Sequence, residues 1–431
     1  MQVSTETTQG LERRITVTIP GTDVAQELQN RLTSLAQTTR IAGFRPGKIP
    51  QKVIQQRFGD QVRRDVLGER MRATLNEVLT QQNWRVASNP RFEVVSGWDP
   101  SVVQDVCYTA TFEIYPEVVL APVEAAVISR PEIQIGDSDV DAMVDHLRRQ
   151  RQIWSKVDRP AAIDDRVTID FTGFLADGTK FPGGSGTDVL LVLGSGRFVG
   201  EFEQRLVGAV VAETRMIDVV FPADYGHADL AGQAVQFSVV VKAIEAGHLP
   251  ELDELFIRTL GVADGTEESF RREVRLGMER DCAGKVRELV KAQLLDWLYQ
   301  NNPVELPNAL VQEELVSLRS RDSTADVPGQ ALEERARRHV ALGILLGDVV
   351  RRQRIKPDPE QVRAYIRAAA DEYESPEQVE QWYAADSKRL QEIEAVVVED
   401  MALEWILKQV QLKPVSVPLR ELLNPELVSH A

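Results

Sequence analysis

Val167-Thr168-Ile169-Asp170-Phe171-Thr172-Gly173-Phe174-Leu175-Ala176-Asp177-Gly178-Thr179-Lys180-Phe181 decides how the middle of this chain folds. Val167 to Phe171 is β-rich and reads as a strand. Asp177-Gly178 is a hairpin turn signal, because both residue types accept the positive φ that a tight turn demands. Gly-rich turns follow at Gly183-Gly184 and Gly194-Ser195-Gly196, and Met216–Phe221 and Ala234–Ile244 are two more β-rich runs. With one short helix near Glu201–Leu206, residues 161–246 are expected to form a small, strongly curved antiparallel sheet wrapped on that helix.

Toward the N-terminus, Leu11, Ile15, Val17 and Ile19 alternate with polar residues as a half-buried strand does, and Pro20-Gly21 ends the run. Asp23 is expected to cap a helix with Val24, Leu28, Leu32 and Leu35 on one face. Two Gly and two Pro within Ile41–Pro50 then forbid continued helix. The loop they make sets Phe44, Arg45 and Lys48 at a tip. An aromatic ring beside two cations is a docking device, since the ring anchors while the cations meet phosphate or carboxylate. An ordinary helix–helix turn, with Phe44 folded back on the core, is the plainer alternative. Pro50 opens a second helical segment containing Val53, Ile54 and Phe58. Gly59-Asp60 is expected to break and recap it, and Val62, Val66, Leu75, Val78 and Leu79 continue the stripe. With β-rich runs at Phe92–Val95 and Val106–Tyr115, residues 1–115 read as an α+β domain.

Pro116, Pro122 and Pro131 mark boundaries. Val118–Ile135 reads as an extended linker, and Asp137 as the cap of a helix carrying Val140, Val144, Leu147, Arg151 and Trp154. Residues 116–160 are therefore a linker and connector helix that runs along another domain. Residues 247–431 are helical almost throughout, with apolar stripes such as Val286, Leu289, Val290, Leu294, Trp297 and Leu298, punctuated by prolines. Helices this charged, with Arg335-Ala336-Arg337-Arg338 as one run, suit extended arms with partly apolar faces better than one large dry core. No fixed-period repeat occurs.

At 431 residues, 43% of them apolar, the chain calls for several folded domains. Its formal net charge of −16 is uneven. Residues 1–115 carry 14 Lys/Arg against 12 Asp/Glu, and Arg31–Arg72 alone carries 10 against 3. Residues 116–246 carry 12 against 20, and residues 247–431 carry 24 against 34. A local basic patch on an acidic protein suits one polyanionic surface and discourages general nucleic-acid binding; a solvated helix face would look the same. No apolar run reaches the roughly 18 residues of a membrane span, and Met1–Thr22 lacks the apolar centre of a signal peptide. Cys107 and Cys282 form no motif, and free thiols in a reducing cytoplasm are expected. The five histidines show no metal-ligand spacing. P-loop and dinucleotide fingerprints are missing, and Gly183-Gly184-Ser185-Gly186-Thr187 fails as a nucleophile elbow at its last position. No metal and no cofactor are expected.

"GFRPGKIP", Gly43–Pro50, closely resembles the ribosome-docking loop of the trigger factor family of bacterial chaperones. "VTIDFTGFLADGTKF" resembles the opening strand pair of FK506-binding-type peptidyl-prolyl isomerases, and "VVFPADYGHADLAG", Val219–Gly232, their Tyr-containing flap. The likeness extends over residues 247–431 with weaker local motifs. It implies a multidomain α+β chain: an N-terminal α+β docking domain, a small antiparallel-sheet FK506-binding-like domain and an extended all-helical C-terminal domain.

The implied function is an ATP-independent chaperone with prolyl isomerase activity. It docks at the ribosome exit tunnel, on large-subunit protein and RNA, and shields unfolded nascent polypeptides to assist folding and export. The resemblance implies no membrane partner, a cytoplasmic and partly ribosome-associated location, and a weak homodimer off the ribosome. Docking falls to Gly43, Phe44, Arg45, Pro46, Gly47 and Lys48. By motif position, Tyr225, Phe202 and Phe237 are the catalytic set and Phe171, Phe181 and Val199 the substrate-binding set. Tyr225 would donate a hydrogen bond to the carbonyl preceding the proline. The chain departs from the family at Pro46, at Pro182 where an acid is common, and at Gly200-Glu201, where a Gly usually precedes the floor aromatic. An acid at 201 is expected to tilt the short helix or narrow the pocket. A holdase with an inactive isomerase domain and a free isomerase without ribosome docking are the alternatives.

Overall fold

The computed structural model describes residues 2–7, 10–39, 44, 49–97, 103–175, 177–199, 201–222, 225, 230–321, 328–370, 373 and 375–423. The chain divides into two compact units, Met1–Pro131 with Arg287–Val415, and Glu132–Val286 with Ser416–Ala431.

The first unit begins with β1 (Gln2–Thr7) and β2 (Glu12–Ile19), an antiparallel pair. β2 buries Ile15, Val17 and Ile19 as its alternation predicts. β1, with the polar sequence QVSTET, carries no such pattern; as an edge strand it needs only backbone pairing. Helix α1 (Gly21–Thr38) starts two residues before Asp23. Its first amide, on Gly21, donates to Asp105 Oδ1 at 2.9 Å, so a carboxylate distant in sequence caps the helix and Asp23 lies inside the first turn.

Helix α2 (Gln51–Gln82) runs unbroken through Gly59-Asp60, against the sequence expectation of a break. Ile54, Val62, Val66, Leu67, Met71, Leu75 and Val78 bury one continuous stripe, which outweighs the modest helix penalty of a single Gly. β3 (Arg91–Ser96) and β4 (Val106–Glu113) complete a four-stranded sheet in the order β1-β2-β4-β3. Its inner face packs on α2. There the buried Tyr108 hydroxyl donates to the Met71 carbonyl at 3.0 Å and meets the Thr74 hydroxyl at 2.7 Å.

β5 (Val127–Glu132) falls within the stretch expected to be a linker. Helix α3 (Asp137–Gln150) takes Gly136 as its N-cap and ends before Trp154. Trp154 instead belongs to β6 (Ile153–Lys156), where the Arg166 guanidinium lies 4.7 Å over its ring. Then follow β7 (Arg166–Leu175), β8 (Lys180–Val192), the five-residue α4 (Phe202–Leu206), β9 (Thr214–Val220) and β10 (Ala234–His248). They make a five-stranded antiparallel sheet, β6-β10-β7-β8, with β9 also paired to β10. Val167, Ile169, Leu191, Ile217 and Val239 point to α4, whose Phe202 and Leu206 fill the concave side.

The remaining helices are α5 (Glu254–Thr259), α6 (Glu267–Asn301), α7 (Asn308–Arg321), α8 (Gly329–Gln353), α9 (Pro359–Ala370), α10 (Pro376–Ala384) and α11 (Ser387–Leu407). They close small separate cores. Val140 and Val144 of α3 meet Ile257, Phe270 and Met278. Val311, Leu315 and Leu318 of α7 meet Leu332 and Ala336 of α8. Val362 and Ile366 of α9 meet Val397 of α11. Glu113, at the end of β4, accepts the Asn308 and Ala309 amides at 3.0 and 2.8 Å and so caps α7. The chain continues with β11 (Gln411–Ser416) and α12 (Leu419–Leu423). β11 pairs with β5, which is how the expected linker becomes a strand: its partner lies far along the chain and is invisible to local patterning.

Candidate active site

The concave face of the five-stranded sheet opens into a cavity of about 250 Å³. Phe171, Phe181, Val199, Phe202, Tyr225 and Phe237 all line it, brought together from β7, β8, β10, α4 and the segments flanking them. The period-two side-chain alternation of β7 and β10 puts Phe171 and Phe237 on the inner face, ring centroids 6.0 Å apart. Phe202 meets Phe237 edge-on at 5.4 Å, and Phe181 meets Phe237 edge-on at 6.1 Å. These tilted contacts suit the aromatic quadrupole, each worth about 0.5–1.5 kcal/mol beyond area burial, and they hold the rings in fixed places.

Four further apolar residues, Phe198, Val219, Phe221 and Leu230, belong to the lining. Phe198 stacks on Phe202, Phe221 packs against Tyr225 at 4.5 Å, and Leu230 closes one side. Phe198 is legible only as a neighbour of Val199 in the motif, and Phe221 as the strand end before Pro222. The glycines are a second missed signal. A Cβ on Gly173 would come within 2.7 Å of the Phe181 and Phe237 rings, and one on Gly184 within 2.6 Å of Phe181. Both are glycine because the rings lie directly on the backbone.

The loop after β8 is fastened from beneath. Glu203 of α4 is buried, and its carboxylate accepts the amides of Gly194, Gly196 and Phe198 at 2.8, 3.0 and 3.1 Å and the Ser195 hydroxyl at 3.2 Å. Burial pushes its pKa up, but the Gly196, Phe198 and Gly194 amides and the Ser195 hydroxyl outweigh that and hold it below the ordinary range. This anchor sets Phe198 and Val199 against the cavity.

Glu201 does not narrow the cavity. It is the exposed N-cap of α4, pairs with Arg205 at 3.1 Å, and has φ of −84°, a conformation that needs no glycine. Asp170 faces away from the cavity on the outer side of β7. It accepts Lys242 Nζ at 2.8 Å and the Asp188 amide at 2.7 Å, which hold its pKa low. Gly200 and the Pro182 side chain lie outside the described residues.

Of the loop between α1 and α2, Phe44 is described and is exposed, at 40% of its full accessibility; Ile49 behind it is buried in the N-terminal core. Gly43, Arg45, Pro46, Gly47 and Lys48 lie outside the described residues. A second cavity, about 510 Å³, lies among α9, α10 and α11 and is lined by Val362, Ile366 and Leu390 together with Arg363 and Glu380. It has no aromatic ring in its wall. Among the described residues no cluster of His, Cys, Asp and Glu could hold a metal ion, and no helix is long and apolar enough to cross a membrane.

A curved antiparallel sheet wrapped on a short helix, with an aromatic cavity between them, defines a prolyl isomerase of the FK506-binding class. The family model for the FKBP-type peptidyl-prolyl cis-trans isomerase matches residues 157–242, and these residues form a domain of that type. On either side, the models for the bacterial trigger factor protein and for its C-terminus match residues 1–147 and 266–408. The trigger factor of Pseudoalteromonas atlantica is 37% identical over 439 residues, spanning 99% of this chain and 100% of that one. The chain belongs to the trigger factor family. A solved structure described as showing promiscuous substrate recognition in the folding and assembly activities of the trigger factor chaperone matches with a TM-score of 0.51 and 16% identity. The match covers 95% of this chain and 99% of that chain, and at that identity it speaks to the fold. The protein is thus a trigger factor chaperone with an FKBP-type isomerase domain.

Proposed function

We propose that the aromatic cavity is where the isomerase reaction takes place, and that the chain works at the ribosome exit tunnel as a cytoplasmic, ATP-independent chaperone for nascent polypeptides. The convergence of six motif-assigned side chains on one cavity carries the first part of this reading. Rotation about an X–Pro bond faces a barrier of about 18–20 kcal/mol because the planar amide is resonance-stabilised. A dry aromatic pocket seats the proline ring on Phe202 and Phe237 and strips water from the amide. The twisted amide has lost resonance and the charge on its carbonyl oxygen, so water stabilises it less than the planar form and desolvation favours it. Phe171, Phe181 and Val199 form the walls, and the Tyr225 hydroxyl donates to the carbonyl preceding the proline and fixes its orientation.

Docking falls to the tip Gly43–Lys48, with Phe44 as anchor and Arg45 and Lys48 as cations. The exposure of Phe44 supports this, since a ring turned back on the core would favour an ordinary turn. Residues 1–115 serve as the docking domain, 116–160 as connector, 161–246 as isomerase and 247–431 as the client-holding part. There Tyr373 and Trp382 stand exposed, as surfaces for weak and promiscuous contacts require. Off the ribosome the chain forms a weak homodimer.

Ribosome co-sedimentation of the full chain beside a Phe44→Ala/Arg45→Ala variant tests the docking reading. The parent is expected in the pellet and the variant in the supernatant. Both remaining in solution at low salt would leave a free isomerase.

A further inference from the structure

Three charged side chains on the outer face of the five-stranded sheet sit where its ladders lose register. Between β7 and β8, Ile169 pairs with Val189 and Phe171 with Gly186, so Asp170 alone faces both Thr187 and Asp188. The extra residue is a β-bulge, and because side chains alternate with period two it exchanges the faces of everything beyond it. On one side of the bulge Val189 and Leu191 face the core. On the other side Gly186 and Gly184 face inward, and a Cβ there would lie 2.7 Å from the Phe171 ring and 2.6 Å from the Phe181 ring. Without the bulge, Thr187 and Ser185 would take those places, where their side chains have no room. β10 carries a second extra residue against the same stretch of β7. Val241 pairs with Ile169 and Ala243 with Thr168, leaving Lys242 between them.

One cluster ties the two irregularities together. Asp170 Oδ1 accepts the Asp188 amide at 2.7 Å. Lys242 Nζ lies 2.8 Å from Asp170 Oδ2 and donates to Asp188 Oδ1 at 2.7 Å. Asp188 itself has φ of 53°, in the left-handed region that residues with a Cβ enter only at a cost. None of the three lines the cavity.

We infer that Asp170, Lys242 and Asp188 are positioning residues for the isomerase: a register lock that holds the β8 bulge and so keeps glycine beneath Phe171 and Phe181. The charge-assisted hydrogen bonds offset the backbone cost at Asp188 and decide between two strand registers, only one of which leaves the ring sites open. The inference rests on the pocket reading proposed above.

Asp170→Ala in the full chain tests it. Its kcat/KM for an X–Pro peptide, followed by exchange NMR, is expected to fall on the order of tenfold or more, as misplaced pocket walls do. The nuclear Overhauser contact between the Gly186 α-protons and the Phe171 ring is expected to vanish. Asp170→Asn keeps an acceptor for the Asp188 amide, and should retain the contact and lose less activity. The deciding variant is Asp170→Ala/Asp188→Gly. Glycine takes positive φ freely, so the double variant should recover both the contact and most of the activity despite having fewer charges. An Asp170→Ala protein that keeps contact and rate overturns the inference, as does a double variant no better than the single. Phe202→Ala separates the two readings: undiminished turnover there sinks the pocket assignment, and the lock as a catalytic device with it.

Discussion

Phe198 lies over Phe202 with ring centroids 4.6 Å apart and planes 18° from parallel. The two rings belong to different segments, a loop and a helix, and Glu203 joins these by accepting the Phe198 amide at 3.1 Å. Glu203→Ala would leave three amides and one hydroxyl without their acceptor, at a cost of about 2–3 kcal/mol. Hydrogen exchange at Gly196 and Phe198 should accelerate well beyond that of the β7 amides, and kcat/KM for X–Pro peptides should drop with it. Unchanged exchange at both amides would show that the loop holds itself.

Acid should loosen this domain most through two buried carboxylates, Asp165 and Glu203. Burial raises the pKa of Asp165, but the Arg159 guanidinium, at 2.6 and 2.9 Å, and the Ala162 amide, at 2.8 Å, outweigh it. Asp165 and Glu203 are therefore both held below their ordinary values of 3.8 and 4.5. A depressed folded pKa means the stabilisation is complete above the ordinary value and is lost as pH falls through the lower, folded one. Methyl resonances of Val167 and Val239 should hold their native positions at pH 5 and lose them progressively below the ordinary carboxylate range. Glu203→Gln should flatten part of that acid limb.

The glycines under the rings predict a second kind of damage. Gly173→Ala and Gly184→Ala each push a methyl group into aromatic rings that have no free space, a misfit of about 1–3 kcal/mol. Both should lower kcat/KM more than they lower thermal stability. Gly178→Ala, in the hairpin turn at φ of 82° with open space around it, should cost stability through its backbone and spare turnover.

Tyr225→Phe and Phe202→Ala divide the proposed roles. The first keeps a ring and removes one hydroxyl, so kcat/KM should fall about five- to tenfold, the worth of one hydrogen bond. The second empties a side chain that is 1% exposed and should cost about 3–5 kcal/mol of stability as well as turnover. A Tyr225→Phe protein with parental kinetics would remove the hydroxyl from the mechanism.

Trp382 is exposed although Arg389 lies 3.8 Å over its ring and Tyr383 packs edge-on at 4.9 Å. A ring held outward in this way suits client contact. Trp382→Ala/Tyr373→Ala should weaken suppression of aggregation of an unfolded client by several-fold, the size expected for two aromatic anchors among many weak contacts. Equal suppression by parent and variant would place client holding elsewhere.

Much of this molecule is written locally. Alternation at Ile15, Val17 and Ile19, the Asp177-Gly178 turn, the apolar stripe of α2 and the breaker-rich stretch around Phe44 are properties of short windows, where period and turn chemistry act without a partner. The six cavity residues could be named because they sit in motifs, yet nothing local says that side chains from residue 171 to residue 237 meet in one space. Tertiary structure decided that, together with the continuity of α2 past Gly59, the Asp105 cap on α1, the pairing of β5 with β11 and the bulge that turns Gly184 and Gly186 under the rings. Each of these depends on a hydrogen-bonding or packing partner distant along the chain, and the energy of such a contact exists only once the backbone has brought the two ends together.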